Sequence, residues 1–312
     1  QLNQAGSKEL IRNTQNNKEK FKHIAIYLFK IFLTMIFCMA FVIGYSKIFG
    51  NSNSVVGVVV LLFVLVFRNI DLSIKTSHAI PSLIAIFAIL AFGPRLSNIS
   101  NVFVELIVNT ICIFLLMFLG CHNIKMCNHS TLVLGYLLLY GYDVSGTLYI
   151  KRLEGLAVGI IITGIIYYVK HRKKEHKSSL SSFIQEFDIK SHRTKWQLSL
   201  TIAISSILFI ARLIHLPRAM WVGIAVMSII SPFPTGKREK AKSRILGNIF
   251  GALLVFIIFT YCPKFMYDNI GILGGIGVGL SATYGFQSVF NTFGAIAIAS
   301  TILGFPAAIF YW

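Results

Sequence analysis

Arg244-Ile-Leu-Gly247-Asn-Ile-Phe-Gly251-Ala-Leu-Leu-Val-Phe-Ile-Ile-Phe-Thr260 is a cation at the head of a continuous apolar run. The same spacing, Arg-x-x-Gly-x-x-x-Gly, recurs at Arg152-Leu-Glu-Gly155-Leu-Ala-Val-Gly159. Offsets of 0, 3 and 7 share one face of a helix, so each run presents a flat glycine strip topped by a guanidinium that stays charged. In lipid such a face is costly unless it meets protein or a water-filled cavity, with the arginine placed for something anionic. Because the apolar residues are continuous rather than alternating, the run reads as a helix and not as a barrel strand.

The rest of the chain repeats this character. Of 312 residues 55% are hydrophobic and 13% charged, with a mean hydropathy of +0.73, outside the usual soluble range. A hydrocarbon core of about 30 Å needs roughly 20 apolar residues per helix. Spans are expected near 24–46, 55–67, 77–95, 102–120, 130–144, 150–169, 197–214, 219–233, 244–262, 268–284 and 286–304. The second, fifth and eighth are short, which fits tilted, broken or partly re-entrant helices. The first run is too long for a signal peptide, and the second follows at once. The fold class expected is an all-α polytopic membrane protein of about 11–12 transmembrane helices in two six-span halves.

Charge orients the chain. The tail (Lys8, Arg12, Lys18, Lys20, Lys22), the Arg68–Lys75 turn, the Lys170–Lys195 connector and the Lys237–Arg244 turn hold most of the basic residues. Those segments are expected in the cytoplasm, N-terminus included, and the net charge of +18 is mainly a topology signal. The division that follows is a cytoplasmic tail over 1–21, a first transmembrane half over 22–169, a basic connector over 170–195 and a second half over 196–312. No sizeable soluble domain fits in the connector, so function must come from the membrane body.

The halves share a layout. Sliding Val56-Gly57 onto Val222-Gly223 carries Phe67 onto Phe233, Ser77 onto Ser243, His78 onto Arg244 and Ala85 onto Gly251 without a gap. That register predicts an internal repeat. Arg152 heads a sixth span and Arg244 a third, three spans apart in a unit, which predicts inverted three-plus-three repeats within each half. Leu139-Tyr140-Gly141 resembles Leu303-Gly304-Phe305, so the partner of Arg152 would fall just after Trp312. With Gln1 in place of a starting Met, the expectation is an end-trimmed chain whose twelfth span is missing.

Trp221-Val-Gly-Ile-Ala-Val-Met-Ser-Ile-Ile-Ser-Pro-Phe-Pro, followed by a basic turn and then Ser243-Arg244-Ile-Leu-Gly247-Asn-Ile-Phe-Gly251, resembles the fusaric acid resistance and aromatic acid exporter family. The resemblance is good over about 217–262, fair at 150–169, and by layout covers most of the chain. It implies two six-span halves that export aromatic carboxylates, and a similarity in the membrane part to plant aluminium-activated malate channels. The first half departs from the motif, with His78, Pro81 and Ala85 where it has Arg, Gly and Gly.

The expected substrate-binding residues are Arg152 and Arg244, through planar bidentate pairing with a carboxylate or phosphate, together with Lys30 inside the first span. Gln287 and Asn291 join them from a polar stripe that also includes Thr283, in a stretch holding Phe286, Phe290 and Phe293. Interhelical hydrogen bonding is the plainer role for that stripe. Glu105 and His78 are the proton-coupling candidates, a semi-buried carboxylate and a pH-sensitive cation. Arg212, near the end of its span, is a further intramembrane charge that could line a pathway or simply mark the interface. Gly155, Gly159, Gly247 and Gly251 are small-x-x-x-small pairs that let helices approach closely.

No metal and no cofactor is expected. Cys121-His122…Cys127…His129 fits no standard zinc spacing, and Gly271-Ile-Leu-Gly-Gly-Ile-Gly-Val-Gly279 has neither the preceding strand nor the Lys-Ser/Thr of a nucleotide loop. An enzyme is not expected, since His-Glu-x-x-His, a nucleophile elbow and paired aspartates are all missing. The function expected is an exporter-like transporter or a channel for organic anions, aromatic ones among them, driven by the proton gradient or by passive flow. The alternative is a scaffold of a cell-envelope pathway that binds an anionic polymer or lipid. Partners would be the bilayer, the anion and either a second copy or an envelope-pathway protein, with no nucleic acid. Abundant Ile, Lys and Asn point to an AT-rich bacterial source, which places the chain in a bacterial cell membrane.

Overall fold

A computed structural model describes residues 4–174, 176, 178, 187–233, 236–281 and 283–303. Among them the regular elements are all helical. In chain order the α-helices are α1 (Gln4–Asn13), α2 (Asn17–Phe49), α3 (Ser54–Phe67), α4 (Thr76–Ile99), α5 (Val102–Gly120), α6 (His129–Gly141), α7 (Thr147–His171), α8 (His192–Leu213), α9 (Met220–Ile229), α10 (Lys237–Tyr261), α11 (Lys264–Asp268), α12 (Ile270–Leu280) and α13 (Tyr284–Leu303). Each of the eleven expected spans has its helix. Among the described residues six helices, α2, α4, α5, α7, α8 and α10, are long and apolar enough to cross a membrane, and the chain is an all-α polytopic membrane protein.

Where boundaries differ from the expected ones, the cause is local. α2 and α10 start about a turn or two before their apolar runs, because Lys, Glu and Arg are good helix formers and an aqueous turn costs nothing. α9 stops at Ile229 rather than 233, since Pro232 disfavours helical backbone at Ser231. α1 is a helix within what the sequence presented only as a tail.

The chain divides into two compact units, Phe37–Phe233 and Gln1–Ile36 with Pro234–Trp312. In the larger unit α6 is central and packs against α3, α4, α5 and α9. Nine of its 13 residues are buried, among them Leu132, Val133, Tyr136, Leu137 and Leu139, so it is apolar on every side rather than on one stripe. α3 lies on α6 and α7, α4 on α5, α6 and α7, and α8 on α5 and α9. Val56, Val59, Val60, Phe63, Phe87 and Leu90 fill the centre. Gly155 and Gly159 let α7 approach closely: a Cβ on Gly155 would lie 3.2 Å from Val56 Cγ1, and one on Gly159 would overlap the Val60 side chain.

In the second unit α10 and α12 both pack on α13 around Val255, Ile270, Phe293 and Ile296. A Cβ on Gly247 would sit 2.5 Å from Ser288 Cβ, and one on Gly251 2.7 Å from both Val289 O and Thr292 Cβ. Only hydrogen at these positions allows the α10–α13 contact. Lys8 of α1 donates to Ser281 O at 2.6 Å, and Tyr27 of α2 to Gly279 O at 3.0 Å, so both N-terminal helices fasten on the last turn of α12.

Candidate functional site

α6 is 13 residues long, about 20 Å at 1.5 Å per residue, so it cannot span the hydrocarbon and its end needs partners inside the protein. Leu138 O accepts from the Tyr142 amide, and the carbonyls after it are taken by side chains. Arg152 donates to Leu139 O at 3.3 Å and to Tyr142 O; Asn98 Nδ2 donates to Tyr140 O at 2.9 Å; Arg218 Nη1 donates to Gly141 O at 2.6 Å. Positive charge suits the negative end of a helix dipole. Arg152, only 2% exposed, also donates through Nε to Asn53 Oδ1 at 3.3 Å. Asn53 in turn donates to Phe49 O and Leu148 O, which ties the α2 and α7 ends to the same knot.

Acid groups border these cations. Arg95 pairs with Asp143 at 2.5 Å, and the Arg218 guanidinium lies 4.7 Å over the Tyr142 ring. Glu105, 1% exposed in the first turn of α5, accepts from the Tyr140 hydroxyl and has Arg212 Nε 3.5 Å from its other oxygen. One turn deeper, Asn109 Oδ1 accepts from Tyr136 at 2.7 Å and from Ser97 at 2.9 Å. The end of the unit where α6 finishes therefore holds four arginines and two carboxylates around a buried polar ladder, a setting in which a small anion could be balanced.

The remaining expected residues are spread over both units. His78 is half-buried near the start of α4. Lys30, Arg244, Gln287 and Asn291 all belong to the second unit, with Lys30, Arg244 and Gln287 half-buried and Asn291 exposed. Arg244 Nε is itself buried and has no hydrogen-bond partner among the described residues. The buried polar stripe on α13 is one position away from the expected one: Ser288 donates to Tyr284 O, and Thr292 to Ser288 O at 3.0 Å and to Asn248 Oδ1 at 3.3 Å.

At the opposite end of the larger unit, Asp71 is buried beside Lys174 at 2.7 Å and His176 at 3.5 Å. Burial works against its charge. The Lys174 hydrogen bond, the Ser73 amide and the positive charge of Lys174 and His176 outweigh that and hold the carboxyl below its ordinary range. An open recess of about 640 Å³ lies nearby, lined in part by Ser73, His122, Lys125 and Arg193. No cluster of three or more His, Cys, Asp or Glu side chains suited to a metal occurs among the described residues.

The sequence did not single out Tyr140, Tyr136, Asn109, Arg95, Asp143 or Arg218. Their signal was there in part, since Glu105 and Asn109, like Tyr136 and Tyr140, stand four residues apart, the spacing of one helix face.

Apolar helices of spanning length with buried charge between them define a multi-pass membrane protein. Residues 202–311 match the family described as fusaric acid resistance protein-like, which bears out the expected resemblance over that segment and supports an exporter-like role. No curated protein and no solved structure matches the chain.

Proposed function

We propose that the chain is an exporter-like transporter of organic anions, with aromatic carboxylates the first class to test, moved by the proton gradient or by passive flow. The observation that carries this reading is Arg244, inside the matched segment, with a buried guanidinium nitrogen that no described residue satisfies. An orphaned charged donor is costly unless an anion takes it. By contrast, three of the Arg152 N–H groups are committed to backbone and Asn53 oxygens. Lys30, Gln287 and Asn291 share a compact unit with Arg244 and are the further ligand groups in this reading. Gly247 and Gly251 hold the helix pair on which Arg244 rides.

Arg244→Ala should lower anion affinity in reconstituted vesicles roughly ten- to a hundredfold, since a charge-assisted pair is worth about 1.5–3 kcal/mol. Arg244→Lys should recover only part, lacking the planar fork. Unchanged transport by well-folded Arg244→Ala would refute the assignment and shift weight to the envelope scaffold. We further propose a bacterial cell membrane, with the N-terminus and the 170–195 connector cytoplasmic, on the strength of their basic residues. Thiol labelling of Leu10→Cys and Leu180→Cys, the latter outside the described residues, tests this; reaction with an impermeant reagent outside intact cells would reverse it.

A further inference from the structure

Glu105 is held unevenly. One carboxylate oxygen accepts the Tyr140 hydroxyl, whereas Oε2 is fully buried and makes no hydrogen bond among the described residues. Its partner there is Arg212 Nε at 3.5 Å, an attraction of charges without a formed hydrogen bond. The Arg212 side chain is 43% exposed, so the cation faces outward while the anion is enclosed. Three helices pack on α5: α6 supplies Tyr140, α8 supplies Arg212, and Arg95 of α4 is spent on Asp143. Arg218 is engaged with Gly141 O.

A file of unspent polar groups continues from this carboxylate. Asn109 Nδ2, one turn along α5, has no partner among the described residues, and neither do the buried Thr201 and Ser205 hydroxyls of α8. α8 runs antiparallel to α5, because Gln197 donates to Met117 O and Cys121 O at one end while Arg212 meets Glu105 at the other. That register sets Thr201 and Ser205 between the two ends. Buried polar groups in such a line are the usual hosts of ordered water, along which a proton can travel.

We propose that Glu105 and Arg212 are a coupling pair that binds a proton and a substrate anion together. This rests on the transport reading above. In the resting pair the two charges cancel. When Glu105 takes a proton, its attraction for Arg212 is lost, and the exposed guanidinium accepts the carboxylate or sulfonate of the substrate in its place, at a second anion position distinct from Arg244. One proton and one negative charge enter the site, so its net charge is unchanged. The electrostatics make the two bindings cooperative, since an anion on Arg212 beside an ionised, buried Glu105 would set like charges together. Proton and anion then move in the same direction, so export by this pair runs down the anion's own gradient, the passive-flow form of the transport reading.

The test uses the chain reconstituted in phosphatidylethanolamine–phosphatidylglycerol vesicles loaded with benzenesulfonate, which stays anionic, and a trapped pH dye. Anion efflux should carry about one proton out per anion, so the lumen becomes alkaline. In Glu105→Gln the proton flux should vanish, and the anion that still passes should become drivable by a potassium diffusion potential. Luminal acidification during efflux, or normal proton flux in Glu105→Gln, overturns the proposal. An independent measurement needs no variant: calorimetry of benzenesulfonate binding in buffers of different ionisation enthalpy should show uptake of about one proton per chain. No uptake, or proton release, overturns it equally. Absence of anion flow and of anion binding in the unmodified protein removes the transport reading itself, and this proposal with it.

Discussion

Arg152→Ala takes away a buried guanidinium that donates to two backbone carbonyls at the end of α6 and to Asn53. Alanine leaves Leu139 O, Tyr142 O and Asn53 Oδ1 without that donor in a region largely closed to water. An unsatisfied buried acceptor costs about 1–3 kcal/mol, and relaxation of the helix end recovers part, so the expected loss is about 3–5 kcal/mol. Set against the marginal stability of folded proteins, that is a large share. At about 2–4 °C per kcal/mol for a unit of this size, the apparent melting temperature in detergent should fall by roughly 10 °C. Arg152→Lys should lie between, because an ammonium keeps the charge at the helix end but cannot span acceptors as the fork does. Tryptophan fluorescence melts and size-exclusion recovery measure this, with anion binding followed in parallel. A melting temperature unchanged in Arg152→Ala, accompanied by a tenfold or greater loss of anion affinity, would refute the structural account and make Arg152 a ligand group.

Two further outcomes follow from packing and charge. Gly251→Val should destabilise by about 1–3 kcal/mol, because a Cβ would stand 2.7 Å from Val289 O, a backbone atom that cannot rotate away; an unaltered thermal melt would contradict the α10–α13 contact. Asp71 has a lowered native pKa, so the stability it contributes is present above the ordinary carboxylate range and is lost as pH falls through the depressed native value. Melts taken from neutral pH downward should therefore show a loss at acid pH that Asp71→Asn lacks, and equal acid sensitivity in both proteins would refute this role.

The helices were legible because a lipid-spanning segment must be apolar throughout, and the runs headed by Arg152 and Arg244 carry that demand in plain sequence. The short elements were legible for the same reason: 55–67 and 130–144 simply lack the residues to cross. What could not be read was partnership. Arg152 is met by carbonyl oxygens, which every residue possesses and no sequence pattern marks. Glu105 and Arg212 are 107 positions apart and joined only by the antiparallel contact of α5 and α8. On α13 the choice between Gln287 and Ser288 as the buried polar position depends on where Gly247 and Gly251 lie, and a stripe of polar residues alone does not set that rotation.

The short helices have a consequence for charge inside the protein. α3, α6, α9 and α12 have 14, 13, 10 and 11 residues, and at 1.5 Å each they reach only about 15–21 Å across a core of about 30 Å. Their C-terminal carbonyls are nevertheless occupied: Phe67 O by His171, the α6 end by arginines and Asn98, Ile230 O by Trp196, and Ser281 O by Lys8. Each such end is a polar cluster built from the protein's own side chains. In the larger unit the Phe67 end of α3 and the arginine-held end of α6 lie at opposite ends of the packed helices, so the purely apolar layer between them is no thicker than the short helices are long. The work of placing a charge in an apolar layer falls as the layer thins, so the shortest helices rather than the longest set the cost of any charge held between those ends.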